Sequence, residues 1–486
     1  MNPIPDKEVI HHIQVENIWW RAPFQINPVY SEMSPRAYFN LFHPLVKNVS
    51  VKRAVLLMGP RRVGKTVLVH HTIRQLIEDG VSPKNICYLS VDHPIYTGCS
   101  LESLLKYFGE ASGVNYNTQQ IFFFFDEIQY LRDWEVHLKV LVDKYPNLRF
   151  TASGSAAAAL KLKSIESGAG RFTDFLLPPL TFHEYLDLLG KTDLVAKSVK
   201  GPTDLWQATD IKALNESFLH YLNFGGYPEV IFSKSVQSDP GRFIKSDIID
   251  KVLLRDLPSL YGIQDIQELN YLFTTLAFNT ANEVSLEELS KNSGVAKNTI
   301  KRYIEYLEAA FLLKIVHRID RNSKRFQRAN FFKVYLTNPS MRSALFSPVN
   351  ENDDFMGKLA ETGIFSQWFH SSSQLYYGRW PQGEIDIVHL GQNQKPLWAV
   401  EVKWSDRCVN SSDELRSVIS FYHANKLRNI TVTTRTLYER REIDDMVIEF
   451  IPASVYCYTV GYNIVRGKHF SASLKTASDE SRGKDI

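Results

Sequence analysis

Val55-Leu56-Leu57-Met58-Gly59-Pro60-Arg61-Arg62-Val63-Gly64-Lys65-Thr66 decides how this chain of 486 residues is read. The apolar run Ala54 to Met58 feeds into a Gly-x-x-x-x-Gly-Lys-Thr turn, and an amphipathic segment, Val67 to Ile77, follows. Strand, glycine-rich turn and helix in that order form the setting in which such a turn wraps a phosphate. Gly59 and Gly64 let the backbone through Pro60, Arg61, Arg62 and Val63 curl so that its N–H groups face an anion. The following helix adds the positive end of its dipole. Lys65 is expected to reach the β- and γ-phosphates, and the Thr66 hydroxyl to ligate Mg²⁺.

Ile121-Phe122-Phe123-Phe124-Phe125-Asp126-Glu127 is a continuous apolar run ending in two acids, as a central strand of a parallel sheet reads. Ligands of open α/β sheets sit at the C-terminal ends of the strands. Asp126 is expected to hold Mg²⁺, and Glu127 to take a proton from an attacking water. Both stretches point to ATP with Mg²⁺ as its cofactor.

Bulk properties set outer limits. The length suggests about three domains. A net charge of +3 is too small to name a partner, so any nucleic-acid argument must come from local clustering. Cys87, Cys99, Cys408 and Cys457 are scattered without Cys-x-x-Cys spacing, which suits buried thiols in a reducing cytosol. The polar start, with Asp6 and Glu8, does not read as a signal peptide, and no apolar run approaches the length of a membrane span. The expectation is a soluble cytoplasmic protein without membrane contact.

Along the chain, residues 1–50 read as an N-terminal segment in which Trp19 and Trp20 pack onto the following domain. Strands at 53–58, 86–91, 121–125 and 148–153 alternate with helices at 65–79, 101–109 and 133–144, implying parallel pairing. Beyond the fourth strand, Ser153 and Ser155 are both candidates to contact a γ-phosphate or the attacking water; a plain Ser/Gly turn is the alternative. Arg171, after Gly168-Ala169-Gly170, is a candidate for neutralising transition-state charge, in cis or from a neighbouring subunit of a homo-oligomer; a solvated side chain is its alternative. Residues 190–212 read as a polar, loop-like insertion, and 213–262 as a helical lid.

From 266 to 336 the pattern is helix-turn-helix. Ser285 and Glu288 stand at capping-box spacing, Gly294 turns the chain, and Lys297 opens a helix with Ile300, Ile304 and Leu307 inward. Phe311 to Val316 and Phe331 to Leu336 read as a wing. Lys314, Arg318, Arg321, Lys324, Arg325, Arg328 and Lys333 stand there against the single acid Asp320. A basic wing beside Lys297, Lys301 and Arg302 suits contact with a DNA or RNA backbone, whereas a plain lid or protein dock needs no such charge.

Residues 355–465 read as another α/β unit. A helix, Met356 to Phe369, carries Glu361; the strand Gly383 to Val388 carries Asp386; Trp398 to Trp404 presents Glu401 and Lys403 on one face. A helix at 412–425 and a strand at 429–434 follow. That order matches a restriction-endonuclease-like core. Glu361, Asp386 and Glu401 are expected on Mg²⁺, with Lys403 orienting water or stabilising developing charge. The same fold also occurs as a silent binding module. The tail, 466–486, is polar and reads as disordered.

Taken together, these stretches resemble a family of bacterial and archaeal AAA-type ATPases that end in a restriction-endonuclease-like domain formerly described as of unknown function. The matching residues are Gly59 to Thr66, Phe125-Asp126-Glu127-Ile128-Gln129, Ser153-Gly154-Ser155, Gly170-Arg171, Gly225-Gly226-Tyr227-Pro228-Glu229, residues 284–308, Lys333-Val334-Tyr335-Leu336, Glu384-Ile385-Asp386 and Glu401-Val402-Lys403. The resemblance implies ATP binding, the Asp126 strand beside the phosphate-loop strand, a winged helix and a terminal nuclease-type fold. Two departures stand out: the serines after Ala152 are shifted relative to the family's Gly-Ser-Ser turn, and 190–212 is longer than the usual connection.

The expected architecture is therefore α/β: a P-loop NTPase core at 51–190, a helical lid with insertion at 191–262, a winged helix at 263–340 and a nuclease-like domain at 341–465. The expected function is ATP hydrolysis coupled to action on nucleic acid. A regulatory or scaffold ATPase with a silent C-terminal domain is the alternative, and a protein-remodelling chaperone a third.

Overall fold

The apolar run Ala54–Met58 is buried along its whole length, and it forms β1 of a five-stranded sheet. The structure, a computed structural model, describes residues 5–21, 25–154, 170–198, 206–324, 330–371, 373–427, 429–443 and 445–466. The chain divides into two compact units. One comprises Met1–Pro178 with Ser259–Gly262, the other Pro179–Pro258 with Ile263–Ile486.

In the first unit, β2 (Ile86–Ser90), β3 (Ile121–Asp126), β4 (Leu148–Gly154) and β5 (Phe172–Leu176) complete the sheet. All pairs are parallel, in the order β2-β3-β4-β1-β5. Parallel neighbours need crossovers, and the helices Lys65–Glu78, Leu101–Ser112 and Trp134–Lys144 supply them. β1, β3 and β4 are buried throughout, and the apolar runs Ala54–Met58 and Ile121–Phe125 reflect a sheet covered on both faces. The order corrects one expectation: β4 lies between the phosphate-loop strand and the Asp126 strand. Sequential apolar runs identify strands but carry no record of lateral order.

β2 is the sheet edge, and an edge leaves main-chain groups in need of partners. The N-terminal segment provides them. Asn17 accepts from the Tyr88 N–H at 2.7 Å and donates to the Tyr88 carbonyl at 2.9 Å, so one amide replaces a missing strand. Trp19 and Trp20 both donate their indole N–H to the Ile86 carbonyl, at 3.2 and 2.8 Å. Glu16 accepts from the Ser90 N–H at 2.8 Å. Near the start of the central strand β4, the buried guanidinium of Arg149 donates to the carbonyls of Leu45, Val46, Val51 and Arg53.

The second unit is built on one nine-stranded sheet. Its strands are β8 (Glu283–Ser285), β9 (Leu313–Ile319), β10 (Phe331–Leu336), β11 (Leu375–Trp380), β12 (Gly383–Leu390), β13 (Pro396–Glu401), β14 (Asn429–Thr434), β15 (Glu439–Ile443) and β16 (Met446–Pro452). The order is β15-β16-β14-β13-β12-β11-β9-β10-β8. Helices Leu286–Ser293 and Lys297–Ala309 precede the β9–β10 hairpin, and the Ser285 hydroxyl accepts from Glu287 and Glu288 N–H at the first of them. β9 also pairs in parallel with β11. The hairpin expected as a wing is thus part of the same sheet as the C-terminal strands, and no break falls at residue 340. The expected insertion at 190–212 holds an antiparallel pair, β6 (Val195–Lys197) and β7 (Trp206–Ala208), rather than loop alone. Beyond it come the helices Ile211–Phe224 and Pro228–Phe232 and two π-helical turns, Ile244–Asp250 and Val252–Asp256. The tail beyond 466, Ser155, Arg325 and Arg328 lie outside the described residues. No helix among the described residues is long and apolar enough to cross a membrane.

The edge contact gives a direct test. Asn17→Ala leaves two buried main-chain groups of Tyr88 without their partners, at about 1–3 kcal/mol each. Hydrogen exchange followed by mass spectrometry should show faster exchange across 86–90 in this variant, with 121–126 unchanged.

Candidate functional site

The loop after β1 is shaped by two close approaches. A Cβ on Gly59 would stand 2.2 Å from the Leu177 carbonyl oxygen, so only glycine fits there. Arg62 (φ 64°) and Gly64 (φ 90°) adopt left-handed backbone, the alternation that turns successive N–H groups to one side of a loop. From the N-terminal segment, the buried Arg36 donates Nη1 to the carbonyls of Val63 (2.9 Å) and Pro178 (2.7 Å), fixing the loop from behind. Lys65 opens the helix Lys65–Glu78, and its ammonium lies over the loop carbonyls of Gly59 (3.1 Å) and Pro60 (2.8 Å).

Across from the loop stands the tip of β3. Asp126, 2% exposed, accepts from the Thr66 hydroxyl at 2.7 Å, the Tyr88 phenol at 2.8 Å and the Ser153 hydroxyl. Burial, reinforced by the Asp126 charge, pushes the Tyr88 phenol far above its ordinary range, so it stays a donor. The Ser153 hydroxyl also accepts from the Glu127 N–H at 3.3 Å. It therefore braces the acidic pair. Glu127 has left-handed backbone (φ 56°), and its carboxylate accepts from Gln129 Nε2 at 2.5 Å. Strained backbone at the end of a central strand is characteristic of functional tips.

A hydroxyl and a carboxylate 2.7 Å apart at the head of a glycine-lined cradle are the oxygen donors that Mg²⁺ favours beside phosphates, so Thr66 and Asp126 fit the ion. Arg171 does not join them. It immediately precedes β5, where its carbonyl accepts from the Ala54 N–H at the start of β1. Five residues of strand, about 16 Å, separate that end from the loop. Its side chain pairs with Asp143 at 3.1 Å.

The second unit holds a separate polar centre. The antiparallel register that pairs Ile387 with Val400 sets Asp386, midway along β12, across from Glu401 at the end of β13. Asp386 accepts from the Val402 N–H at 2.9 Å, and Lys403 pairs with Glu401 at 2.8 Å. These three are brought together as their spacing predicts. Lys333 is the surprise. Counted in the sequence with an exposed basic wing, it is 1% exposed, and its ammonium meets Glu361 (2.8 Å), Glu384 (2.5 Å) and Asp386 (3.0 Å). Burial opposes its charge, but Glu361, Asp386 and Glu384 outweigh it and hold its pKa well above the ordinary lysine value.

Glu361, expected on a metal, is engaged otherwise. Its Oε1 accepts from Lys333 and from the Tyr335 phenol at 2.6 Å, and its Oε2 from Lys358 at 3.2 Å. Among the described residues no three His, Cys, Asp or Glu side chains gather as a ready-made metal set. Glu401 is different: it is 6% exposed, and its Oε2 has no hydrogen-bond partner among the described residues. Burial, then the Asp386 charge, push its pKa up, whereas Asp386, despite burial, is held down by Lys333, Lys358 and Lys403. An orphaned buried carboxylate oxygen beside a second carboxylate fits a cation, with Asp386 and Glu401 as its holders.

Arg36 and Tyr88 escaped sequence reasoning because each acts through a contact that no local pattern encodes, and Gln129 stands in a matched stretch without a role of its own. Lys333 had a signal: Phe332, Val334, Tyr335 and Leu336 around it are all buried, so both faces of β10 are covered. A lone lysine in such a run marks a buried cation.

Residues 51–186 match the family described as AAA domain, and 215–353 match a domain of unknown function (DUF8612). Uncharacterized protein MJ1544 of Methanocaldococcus jannaschii is 23% identical over 414 residues, covering 82% of this chain and 86% of its own length. An uncharacterized protein of Haemophilus influenzae is 23% identical over 406 residues, with 82% and 92% covered. Among solved structures, the Walker-type ATPase paby2304 of Pyrococcus abyssi is similar with a TM-score of 0.37 at 15% identity, covering 64% of this chain and 94% of that one. The replication initiator DnaA bound to AMPPCP and single-stranded DNA gives a TM-score of 0.29 at 12% identity, with 58% and 92% covered. The AAA domain match over 51–186 falls on the five parallel strands, the glycine cradle and the facing carboxylate of the first unit.

Proposed function

We propose that this chain is an ATPase that hydrolyses ATP in its first unit and acts on nucleic acid through its second. The observation that carries the ATPase reading is the 2.7 Å bond from Thr66 to Asp126, which joins the phosphate loop to the acidic strand tip. In this reading the loop N–H groups and Lys65 bind phosphate oxygens, Lys65 exchanging the Gly59 and Pro60 carbonyls for them. Mg²⁺ held by Thr66 and Asp126 supplies charge neutralisation at the phosphates. Glu127 orients the attacking water and accepts its proton, with Gln129 restricting the carboxylate. Ser153 keeps Asp126 in place. Arg171 serves a neighbouring copy's site, which makes a homo-oligomer the active form.

The nucleic-acid reading rests on the second unit. Helices Leu286–Ser293 and Lys297–Ala309 with the β9–β10 hairpin are read as a winged helix. Exposed Lys297, Lys301 and Arg302, with Arg321 and Lys324, offer a phosphate-binding face even without Lys333. The helix Met356–Ser366, then β11, β12, β13, the helix Arg416–Asn425 and β14, are read as a restriction-endonuclease-like core whose metal is held by Asp386 and Glu401 beside Lys403. One observation favours a silent binding domain instead: Lys333 already neutralises three carboxylates of this centre.

Three measurements check these readings. Lys65→Ala and Gly59→Ala should abolish ATP binding while the sheet stays folded, and Glu127→Gln should keep binding but lower turnover by about 100-fold or more. Unchanged hydrolysis in Lys65→Ala removes the cradle assignment. Replacing Lys301, Arg302, Arg321 and Lys324 by alanine should weaken DNA binding and flatten its log–log salt slope by about 3 to 4; an unaltered slope sinks the basic-face reading. Divalent-metal-dependent cleavage of DNA, lost in Asp386→Ala, decides for the nuclease, and its absence in the parent for the silent module.

A further inference from the structure

The Lys333 ammonium has three N–H donors, and three carboxylates surround it: Glu361, Glu384 and Asp386. The Tyr377 ring lies 5.5 Å from the same nitrogen. The outer oxygens of the cluster are also spoken for, Glu361 Oε2 by Lys358 and Glu384 Oε2 by Arg379. A fully satisfied, fully buried ammonium in this setting does what a metal ion does among carboxylates: it cancels their mutual repulsion. On the far side of Asp386 the balance is different. Asp386 shares its two oxygens between Lys333 and the Val402 N–H, and each carboxylate oxygen retains a further lone pair. Beside it, Glu401 gives Oε1 to Lys403, and its buried Oε2 has no hydrogen-bond partner among the described residues.

We propose that Lys333 is the resident cation of this centre: its ammonium fills the seat between Glu361, Glu384 and Asp386 and limits the centre to one divalent ion, held by Asp386 and Glu401. Lys333 is a positioning residue, since it acts on the ion through Asp386. Glu361 is then a ligand of the ammonium, outside the metal's shell. The hairpin strand β10 thereby carries a charge that sets the metal capacity of strands β12 and β13. This inference rests on the nuclease-type reading of residues 356–434 for the ion at Asp386 and Glu401, while the role of Lys333 stands apart from whether DNA is cut.

The experiment counts Mn²⁺ bound to the nucleotide-free full chain by electron paramagnetic resonance, in the parent and in Glu401→Gln, Glu361→Gln and Lys333→Met. The parent should bind one Mn²⁺ that Glu401→Gln removes. Glu361→Gln should leave that ion bound, because it removes a partner of the ammonium only. Lys333→Met should bind one Mn²⁺ more than the parent, at the three carboxylates it uncovers. Should Lys333→Met fail to fold, the Glu361→Gln arm in the folded parent background still decides. Loss of the parent's ion in Glu361→Gln, or an unchanged count in folded Lys333→Met, overturns the proposal. A parent without a Glu401-dependent ion, paired with a gain of one in Lys333→Met, refutes the nuclease-type metal reading and leaves Lys333 as the centre's cation.

Discussion

The hydrogen bond from Thr66 to Asp126 is the constraint on which the first unit depends, because its two ends belong to segments sixty residues apart. For the bond to form, β1 and β3 must lie parallel and end at the same level, with β4 in register between them. The bond also requires the glycine turn to fold back over the strand tips, which the tight approach of Gly59 to the Leu177 carbonyl makes possible. Asp126 takes three hydroxyl donors, from Thr66, Tyr88 and Ser153, one from each neighbouring element of the sheet. The N-terminal segment completes the frame, since Asn17, Trp19 and Trp20 saturate the edge of β2 from which Tyr88 reaches Asp126. A distant edge contact thus bears on the phosphate site through one phenol.

Both polar centres gather buried carboxylates, Asp126 at a strand tip and Glu361, Glu384 and Asp386 from a helix and β12, and solve the resulting electrostatic problem in different ways. Asp126 is stabilised by neutral hydroxyls, which leave room for a cation to add to the charge balance. Glu361, Glu384 and Asp386 are stabilised by an ammonium that is itself charged, so their capacity for further cations is already partly used. The difference separates a carboxylate braced by neutral donors from three carboxylates already matched by a buried cation. It follows from the same rule in both cases: buried charge must find compensation within a few ångström.

Much of the first unit was legible in the sequence. Phe122 to Phe125 and Val55 to Met58 are unbroken apolar runs because parallel strands are covered on both faces, and such runs are easily bounded. Lateral order was not legible, since it depends on which crossover packs where, and β4 was misplaced for that reason. Likewise, Arg171 stands beside a glycine in the sequence as if poised for catalysis, yet parallel pairing of β5 with β1 carries it to the opposite end of the sheet. In the second unit, alternation on β12 and β13 located Asp386, Glu401 and Lys403, because a period of two fixes which side chains share a face. Lys333 counts as a wing charge by spacing alone, yet its neighbours Phe332, Val334, Tyr335 and Leu336 are buried and carry it inside with them. The joining of β9 to β11 had no local signature at all, being a pairing between strands far apart in the chain.

Equilibrium binding of ATP with and without Mg²⁺, compared between the parent, Thr66→Ala and Asp126→Asn, tests the central geometry most directly. The account predicts that Mg²⁺ tightens ATP binding in the parent, and that both variants bind metal-free ATP while losing that increment. An increment that survives in either variant would contradict the assignment of Thr66 and Asp126 as the pair that joins loop, metal and strand tip.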